Sequence, residues 1–151
     1  MTTCELIELQ PQPTLIIRTE TGVQSLPQVL GDAFENIVSY LGELGELPHG
    51  APFVAYFNMD MDNLQIEAGF PVSKPIPGRE DIQAGEFPPG QYATATFTGP
   101  YHEMAPAYDM LTAWIQENGR EPTGTAYEIY LNDVNTTPPE ELKTQILFPL
   151  K

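Results

Sequence analysis

The chain has 151 residues, which is enough for one well-packed domain and too few for two ordinary ones. Its 21 acidic and 6 basic residues give a formal charge of -15, which argues against direct binding to nucleic acid or to an anionic membrane. The single cysteine, Cys4, excludes an intramolecular disulfide, and without a signal-like or membrane-spanning apolar run we expect a cytoplasmic location.

The first half of the chain reads as two strands, one helix and two further strands. Alternating and β-branched residues predict strands over residues 5–9, 14–19, 53–59 and 64–72. Apolar residues from Leu26 to Leu44, with Val38 among them, recur at the three-and-four spacing of one amphipathic helix. Ser25 with Gln28 resembles a capping box at its start, and Gly45 follows its last periodic residue.

The second half repeats this order. Strands are predicted over residues 82–87, 91–98, 126–132 and 142–150. Between the second and third of these, apolar residues from Met104 to Ile115, Tyr108 among them, predict a helix with Pro106 in its first turn and a stop at Asn118-Gly119.

The two halves also share residues at a nearly constant offset. The matching positions are Gly22 with Gly99, Gly45 with Gly119, and Phe70-Pro71-Val72 with Phe148-Pro149-Leu150. We therefore predict one α+β domain over residues 1–151, built from duplicated strand-helix-strand-strand (SHS2) modules at about 1–78 and 79–151. The modules are expected to form an antiparallel sheet assembly with two long helices on one side, pseudo-two-fold symmetry and a cleft between them.

Glu128 stands out in the predicted strand 126–132. Alternation places Ala126, Glu128, Tyr130 and Asn132 on one face of that strand. A carboxylate beside a tyrosine is costly when it is buried without a partner. This face therefore either meets water or lines a pocket in which the charge has a use.

Further residues of the second half resemble a known family. They are Gly99-Pro100-Tyr101, Ala107-Tyr108, Trp114-Ile115, Asn118-Gly119, the run from Tyr127 to Asp133, the run from Pro138 to Leu142, Thr144-Gln145-Ile146 and Phe148-Pro149. The pattern resembles the GyrI-like small-molecule-binding family, which also forms the effector-binding domain of AraC-type and MerR-type transcription regulators. The first half matches it mainly by layout, and Val134 stands where the family usually has proline.

The resemblance implies an aromatic-lined pocket between the modules, with a glutamate facing a bound ligand that is often a lipophilic cation. Glu128 fits that glutamate. Family members sense drugs for an attached DNA-binding domain, protect gyrase from toxins, or hydrolyse cyclopropane-bearing alkylating compounds. Because both predicted helices are needed to cover the sheet, the chain resembles the stand-alone members.

Aromatic side chains complete the predicted binding site. A tyrosine ring can hold a cation against its face, worth about 0.5 to 2 kcal/mol per contact. Tyr56 is included because Tyr56-Phe57-Asn58 aligns with Tyr130-Leu131-Asn132. The predicted ligand-binding residues are Glu128, Tyr130, Tyr92, Tyr56, Trp114 and Tyr101. For each aromatic residue the alternative is an ordinary place in the sheet or core.

Three functions remain open from the sequence. The first is binding of lipophilic, aromatic or cationic small molecules. The second is hydrolysis, with Glu128 activating water and Tyr130 or Tyr92 polarising a carbonyl of the substrate. The third is contact between the acidic surface and gyrase or a transcription regulator.

No metal or cofactor is expected. Asn58, Asp60 and Asp62 lack the glycine and glutamate that a calcium loop requires, and they fit a hairpin turn better. His49 and His102 have no companion residues for a zinc site.

Overall fold

The computed structural model describes residues 3–58, 60–133 and 135–151. Within these ranges the chain runs twice through two strands, one α-helix and two strands. The elements are β1 (Cys4–Leu9), β2 (Gln12–Thr21), α1 (Leu26–Glu43), β3 (Phe53–Tyr56), β4 (Leu64–Pro71), β5 (Ile82–Phe87), β6 (Gly90–Thr98), α2 (Ala105–Glu117), β7 (Ala126–Tyr130) and β8 (Lys143–Pro149). The strand pairs are antiparallel, which confirms the predicted α+β class.

The chain forms two compact units of the same topology. The first unit is Gln10–Pro89, and the second unit is Gly90–Lys151 together with β1. Strands lie in the order β3-β4-β2-β5 in the first unit and β7-β8-β6-β1 in the second. Each element of one unit thus has a counterpart in the other, as a duplicated fold requires.

β1 and β5 each pair with a strand on the other side of residue 78, the predicted boundary between the two modules. β1 pairs with β6 of the second unit, whereas β5 pairs with β2 of the first. The connections that follow these two strands are Gln10-Pro11 and Pro88-Pro89. Proline keeps its own backbone and that of the preceding residue extended, so neither connection forms a tight hairpin. Each of the two strands instead pairs with a strand that is distant in sequence.

Each helix buries one apolar face against the sheet of its own unit. Under α1 the buried cluster is Leu15, Ile37, Tyr40, Leu41, Phe70, Val72, Ile76 and Ile82. Under α2 it is Ala93, Ala95, Met104, Ala107, Leu111, Ile115, Ala126, Ile146 and Phe148. The stripe predicted for α1 is too wide, because Val38 and Leu44 are 45% and 48% exposed. Neither described helix has the combination of length and apolarity that crossing a membrane demands.

The helix ends are set differently from each other. The predicted capping box is wrong: Ser25 makes no side-chain cap, and Gln28 instead donates to Asp32 one turn later. The predicted stops are confirmed, because Gly45 and Gly119 have φ angles of 72° and 69°. That left-handed backbone favours glycine and lets the following N–H return to a helix carbonyl.

Two asparagines explain why β3 and β7 end before the predicted bounds. Asn58 Oδ1 accepts from the N–H of Gln65, and Asn132 Oδ1 accepts from the N–H of Lys143. In both cases a side-chain amide replaces the backbone ladder, so the strands end at Tyr56 and Tyr130. The last residue predicted for the first of these strands, residue 59, lies outside the described residues, as does Val134.

Candidate functional site

Glu128 lies on the face of its sheet that α2 covers. It is opposite Ile146 on β8, and Ile146 is in turn opposite Ala95 on β6. Residues directly opposite one another in antiparallel strands point to the same face. Ile146 and Ala95 both belong to the apolar cluster under α2. The carboxylate is therefore directed into the space between a helix and a sheet.

Two tyrosine hydroxyls hold the carboxylate. Tyr108, on α2, donates a hydrogen bond to Oε2 of Glu128. Tyr130, two residues along β7, donates to Oε1 at 2.9 Å. Because each oxygen accepts from a different element, the carboxylate plane is fixed in orientation. Both bonds stabilise the ionised form, since a carboxylate accepts charge-assisted hydrogen bonds.

Aromatic rings surround this group. The ring centroids of Tyr101 and Tyr130 are 5.4 Å apart, with an interplanar angle of 51°. The ring of Tyr108 meets Phe148 edge-on at 5.5 Å. Glu128 therefore lies close to aromatic rings, whose faces attract cations and whose apolar surface contributes little solvation to an anion.

The electrostatics of Glu128 follow from this burial. Desolvation raises the pKa of its carboxyl above the ordinary value, and the hydrogen bonds from Tyr108 and Tyr130 lower it by a smaller amount. In the described part of the chain no Lys, Arg or His forms an ion pair with it. Burial, with the negative charges of Glu128 and then Asp133, also raises the pKa of Tyr101. The site thus has a negative field that a proton or a bound cation would relieve.

Three of the predicted site residues come together. Tyr130 contacts Glu128 through its hydroxyl, and Tyr101 contacts Tyr130 through its ring. Tyr108 was not predicted as a site residue, although it was placed on the apolar stripe of α2. Tyr108 is the one residue of that stripe whose side chain ends in a polar group. This feature of the sequence could have marked it as a site residue.

The other predicted residues occupy different surroundings. Tyr92 is only 1% exposed and contacts Tyr127, on the sheet face opposite to that of Glu128. Trp114 is half-buried against the apolar cluster under α2. Tyr56 is half-buried on β3 of the first unit, opposite Ile66. Their part in ligand binding stays a prediction.

The first unit carries an apolar version of the same arrangement. Val54 lies opposite Ala68 in the register position that Glu128 holds opposite Ile146, counting from the shared Phe-Pro end of β4 and β8. Val54 is 0% exposed. A unit of this topology therefore folds with an ordinary apolar residue at this position.

The helix position above it shows the same contrast. Phe34 meets Phe70 edge-on with centroids 5.5 Å apart, which repeats the Tyr108 and Phe148 pair at the same separation. Counted back from Gly45 and Gly119, Phe34 and Tyr108 are equivalent helix residues. The acidic group and its helix donor are thus additions that only the second unit carries.

Among the residues that the structure describes, no three His, Cys, Asp or Glu side chains cluster as metal ligands. Asp60, Asp62 and Asn63 instead form a turn, in which Asp60 accepts backbone N–H groups of the other two. This agrees with the predicted hairpin turn.

The comparisons with known proteins cover the full length of the chain. The family model described as the GyrI-like small molecule binding domain matches residues 2–151. Searching the curated proteins by sequence gave no match.

Among solved structures, EcmrR in a DNA complex superposes with a TM-score of 0.86 at 20% identity, over 99% of this chain and 57% of that one. This chain thus spans little more than half of EcmrR. A hydrolase from Listeria innocua superposes with a TM-score of 0.72 at 15% identity, over 98% and 91% of the two chains. SAV2435 bound to tetraphenylphosphonium gives 0.64 at 11% identity, over 99% and 98%. At such identities these similarities establish the fold.

Proposed function

The chain belongs to the GyrI-like small-molecule-binding family, and from that premise we propose that it binds lipophilic cations against Glu128. The observation that carries the proposal is a half-buried carboxylate held by two tyrosine hydroxyls, with no basic ion-pair partner among the described residues. A charge that is partly removed from water without an opposite charge nearby is destabilised relative to its neutral form. A bound cation would offset that destabilisation.

Aromatic rings determine which cations suit the site. A small hydrated ion loses its water shell on entering such surroundings, whereas a delocalised organic cation has little hydration to lose. Its apolar substituents gain burial, and its charge gains attraction from Glu128 and the faces of Tyr101 and Tyr130. The ligand class is therefore a bulky, apolar cation, and SAV2435, a relative of the same fold, was solved with one.

Titration calorimetry with methyltriphenylphosphonium and triphenylphosphine oxide tests this proposal, because each carries three phenyl rings and one small substituent on phosphorus and only the first is charged. We expect the cation to bind at least about tenfold more tightly, equivalent to about 1.4 kcal/mol of charge attraction. Glu128→Gln should remove this preference. Glu5→Gln, which changes net charge equally on the exposed side of β1, should preserve it. Equal affinities for the two compounds in the wild-type protein would reject the proposal.

Hydrolysis is the second candidate, and one observation favours it. The raised pKa of Glu128 lies closer to neutrality than that of an ordinary carboxyl, which suits a general base. Glu128 would take a proton from water as the water oxygen bonds to a cyclopropane carbon. The ring bond would break toward a conjugated carbonyl, which gains a proton from a neighbouring hydroxyl such as that of Tyr130, and the proton held by Glu128 would then return to Tyr130 along their hydrogen bond.

Turnover separates the two candidates. Sequestration consumes one equivalent of a cyclopropane-bearing alkylating compound, whereas an enzyme converts many. Mass spectrometry of the hydrated product, with Glu128→Gln as the comparison, would distinguish them. Product formation that stops at one equivalent would leave binding as the function.

A further inference from the structure

Thr144 is a buried hydroxyl for which the fold provides no partner. Its side chain is 0% exposed, at the start of β8. Among residues 3–58, 60–133 and 135–151, none forms a hydrogen bond with its Oγ1. A buried hydroxyl left unpaired costs about 1 to 3 kcal/mol. By contrast the hydroxyl of Thr94, buried in the same sheet, donates to the carbonyl of Ile146 at 2.8 Å.

The register places Thr144 in the site already described. It lies opposite Tyr130 on β7 and opposite Phe97 on β6. Alternation along β8 puts it on the same face as Ile146, which is opposite Glu128. Its side chain therefore shares the face of Glu128 and Tyr130 toward α2.

The first unit again shows what the fold alone needs. Ile66 lies opposite Tyr56 as Thr144 lies opposite Tyr130, and Ile66 is also fully buried. An apolar side chain therefore fills this position in a unit of the same topology. The hydroxyl of Thr144 is not required for folding.

Thr144 completes a set of three polar replacements. The apolar residues of the first unit and their polar counterparts in the second are Val54 with Glu128, Phe34 with Tyr108, and Ile66 with Thr144. Helix positions nearby stay apolar in both units, as in Ala33 with Ala107, Ile37 with Leu111, and Leu41 with Ile115. On the sheet face that each helix covers, these three polar replacements thus lie together around Glu128.

From this juxtaposition we infer that the Thr144 hydroxyl donates a hydrogen bond to the ligand. Glu128 offers only acceptor oxygens, and the hydroxyl protons of Tyr108 and Tyr130 are directed to them. Thr144 adds a donor to the same face. The preferred ligand is therefore a lipophilic cation that also carries an oxygen or nitrogen acceptor. This inference rests on the proposed function.

The test uses phosphonium cations that differ by one oxygen. The probes are tetraphenylphosphonium and its ortho-, meta- and para-methoxy derivatives on one ring. Thr144→Val removes the hydroxyl and keeps the shape, whereas Thr144→Ser keeps the hydroxyl. We expect Thr144→Val to weaken at least one methoxy isomer about fivefold, the effect of one net hydrogen bond. Affinity for the parent cation should stay within about twofold, and Thr144→Ser should retain the preference.

Stability gives a second readout. Since the hydroxyl is unpaired without ligand, Thr144→Val should melt at a higher temperature than the wild-type protein, whereas a structural hydroxyl would give a lower one. Thr94→Val, which removes a paired hydroxyl, should melt lower.

The outcomes separate this inference from the proposed function. Equal weakening of all four cations by Thr144→Val, or no weakening of any isomer, would overturn the role of Thr144 and leave the site at Glu128 intact. Binding of tetraphenylphosphonium that ignores Glu128→Gln would overturn the proposed function and this inference with it.

Discussion

Tyr108 on α2 donates a hydrogen bond to Oε2 of Glu128 on β7, so the helix and the strand are joined at a carboxylate on the sheet face that α2 covers. This bond links the chemistry of the site to the packing of the second unit. Removing the charge, its donors or its apolar surroundings should therefore produce separate and measurable effects.

The first prediction concerns stability. Burial raises the pKa of Glu128 in the folded protein above 4.5, so the ionised carboxylate destabilises the fold at neutral pH. Glu128→Gln should increase the free energy of unfolding at pH 7.5 by about 1 kcal/mol, a typical size for a single substitution. Urea unfolding of both proteins measures it.

The difference in stability between the wild-type protein and Glu128→Gln should also change with pH in a defined direction. As pH falls through the raised pKa, the folded wild-type protein takes up a proton at Glu128 before the unfolded chain does. Its stability then approaches that of Glu128→Gln, and the difference levels off below pH 4.5. A difference that widens toward acid would mean that the pKa of Glu128 is lowered instead.

The second prediction concerns cation binding. Only ionised Glu128 attracts a cation, so affinity for tetraphenylphosphonium should fall as pH drops through the raised pKa. Once the carboxyl is largely protonated, the charge-dependent part should fall by about tenfold per pH unit. Titrations between pH 4.5 and 8 with triphenylphosphine oxide as the neutral reference measure this, since the affinity of the reference should stay flat.

The third prediction concerns the two tyrosine donors. Their hydrogen bonds lower the pKa of Glu128, and that of Tyr108 has the larger effect. Tyr108→Phe should therefore move the midpoint of cation binding to higher pH, and Tyr130→Phe should move it less. Phe34 makes the same ring contact in the first unit without a hydroxyl, so the fold tolerates phenylalanine here. A midpoint unchanged in both variants would contradict the assignment.

The fourth prediction uses the first unit as a control. Val54→Glu places a carboxylate in the register position of Glu128, but Phe34 above it cannot donate a hydrogen bond. We expect a loss of about 3 kcal/mol at neutral pH, from a buried charge that lacks the helix donor and any opposite charge. Adding Phe34→Tyr should recover part of that loss. Full stability of the single variant would show that a carboxylate at this register position needs no helix hydroxyl.

Local patterns predicted much of the architecture. Three-and-four spacing located both helices, and glycines at 45 and 119 located their ends, because these features depend on residues adjacent in sequence. The duplicated order of elements and the α+β class followed from the same patterns. Strand pairing did not, because β1 pairs with β6 and β5 pairs with β2, and the strands of each pair lie far apart in the chain.

The sequence by itself determined that Glu128 and Tyr130 share one strand face, because side chains two apart along a strand point the same way. Tyr108 lies 20 residues from Glu128, and Thr144 enters through the pairing of β7 with β8. Tyr92, which was also predicted as a site residue, lies by register on the opposite face. Only the tertiary structure decided these positions, because the pairing of distant strands and the seating of a helix depend on packing across the whole unit.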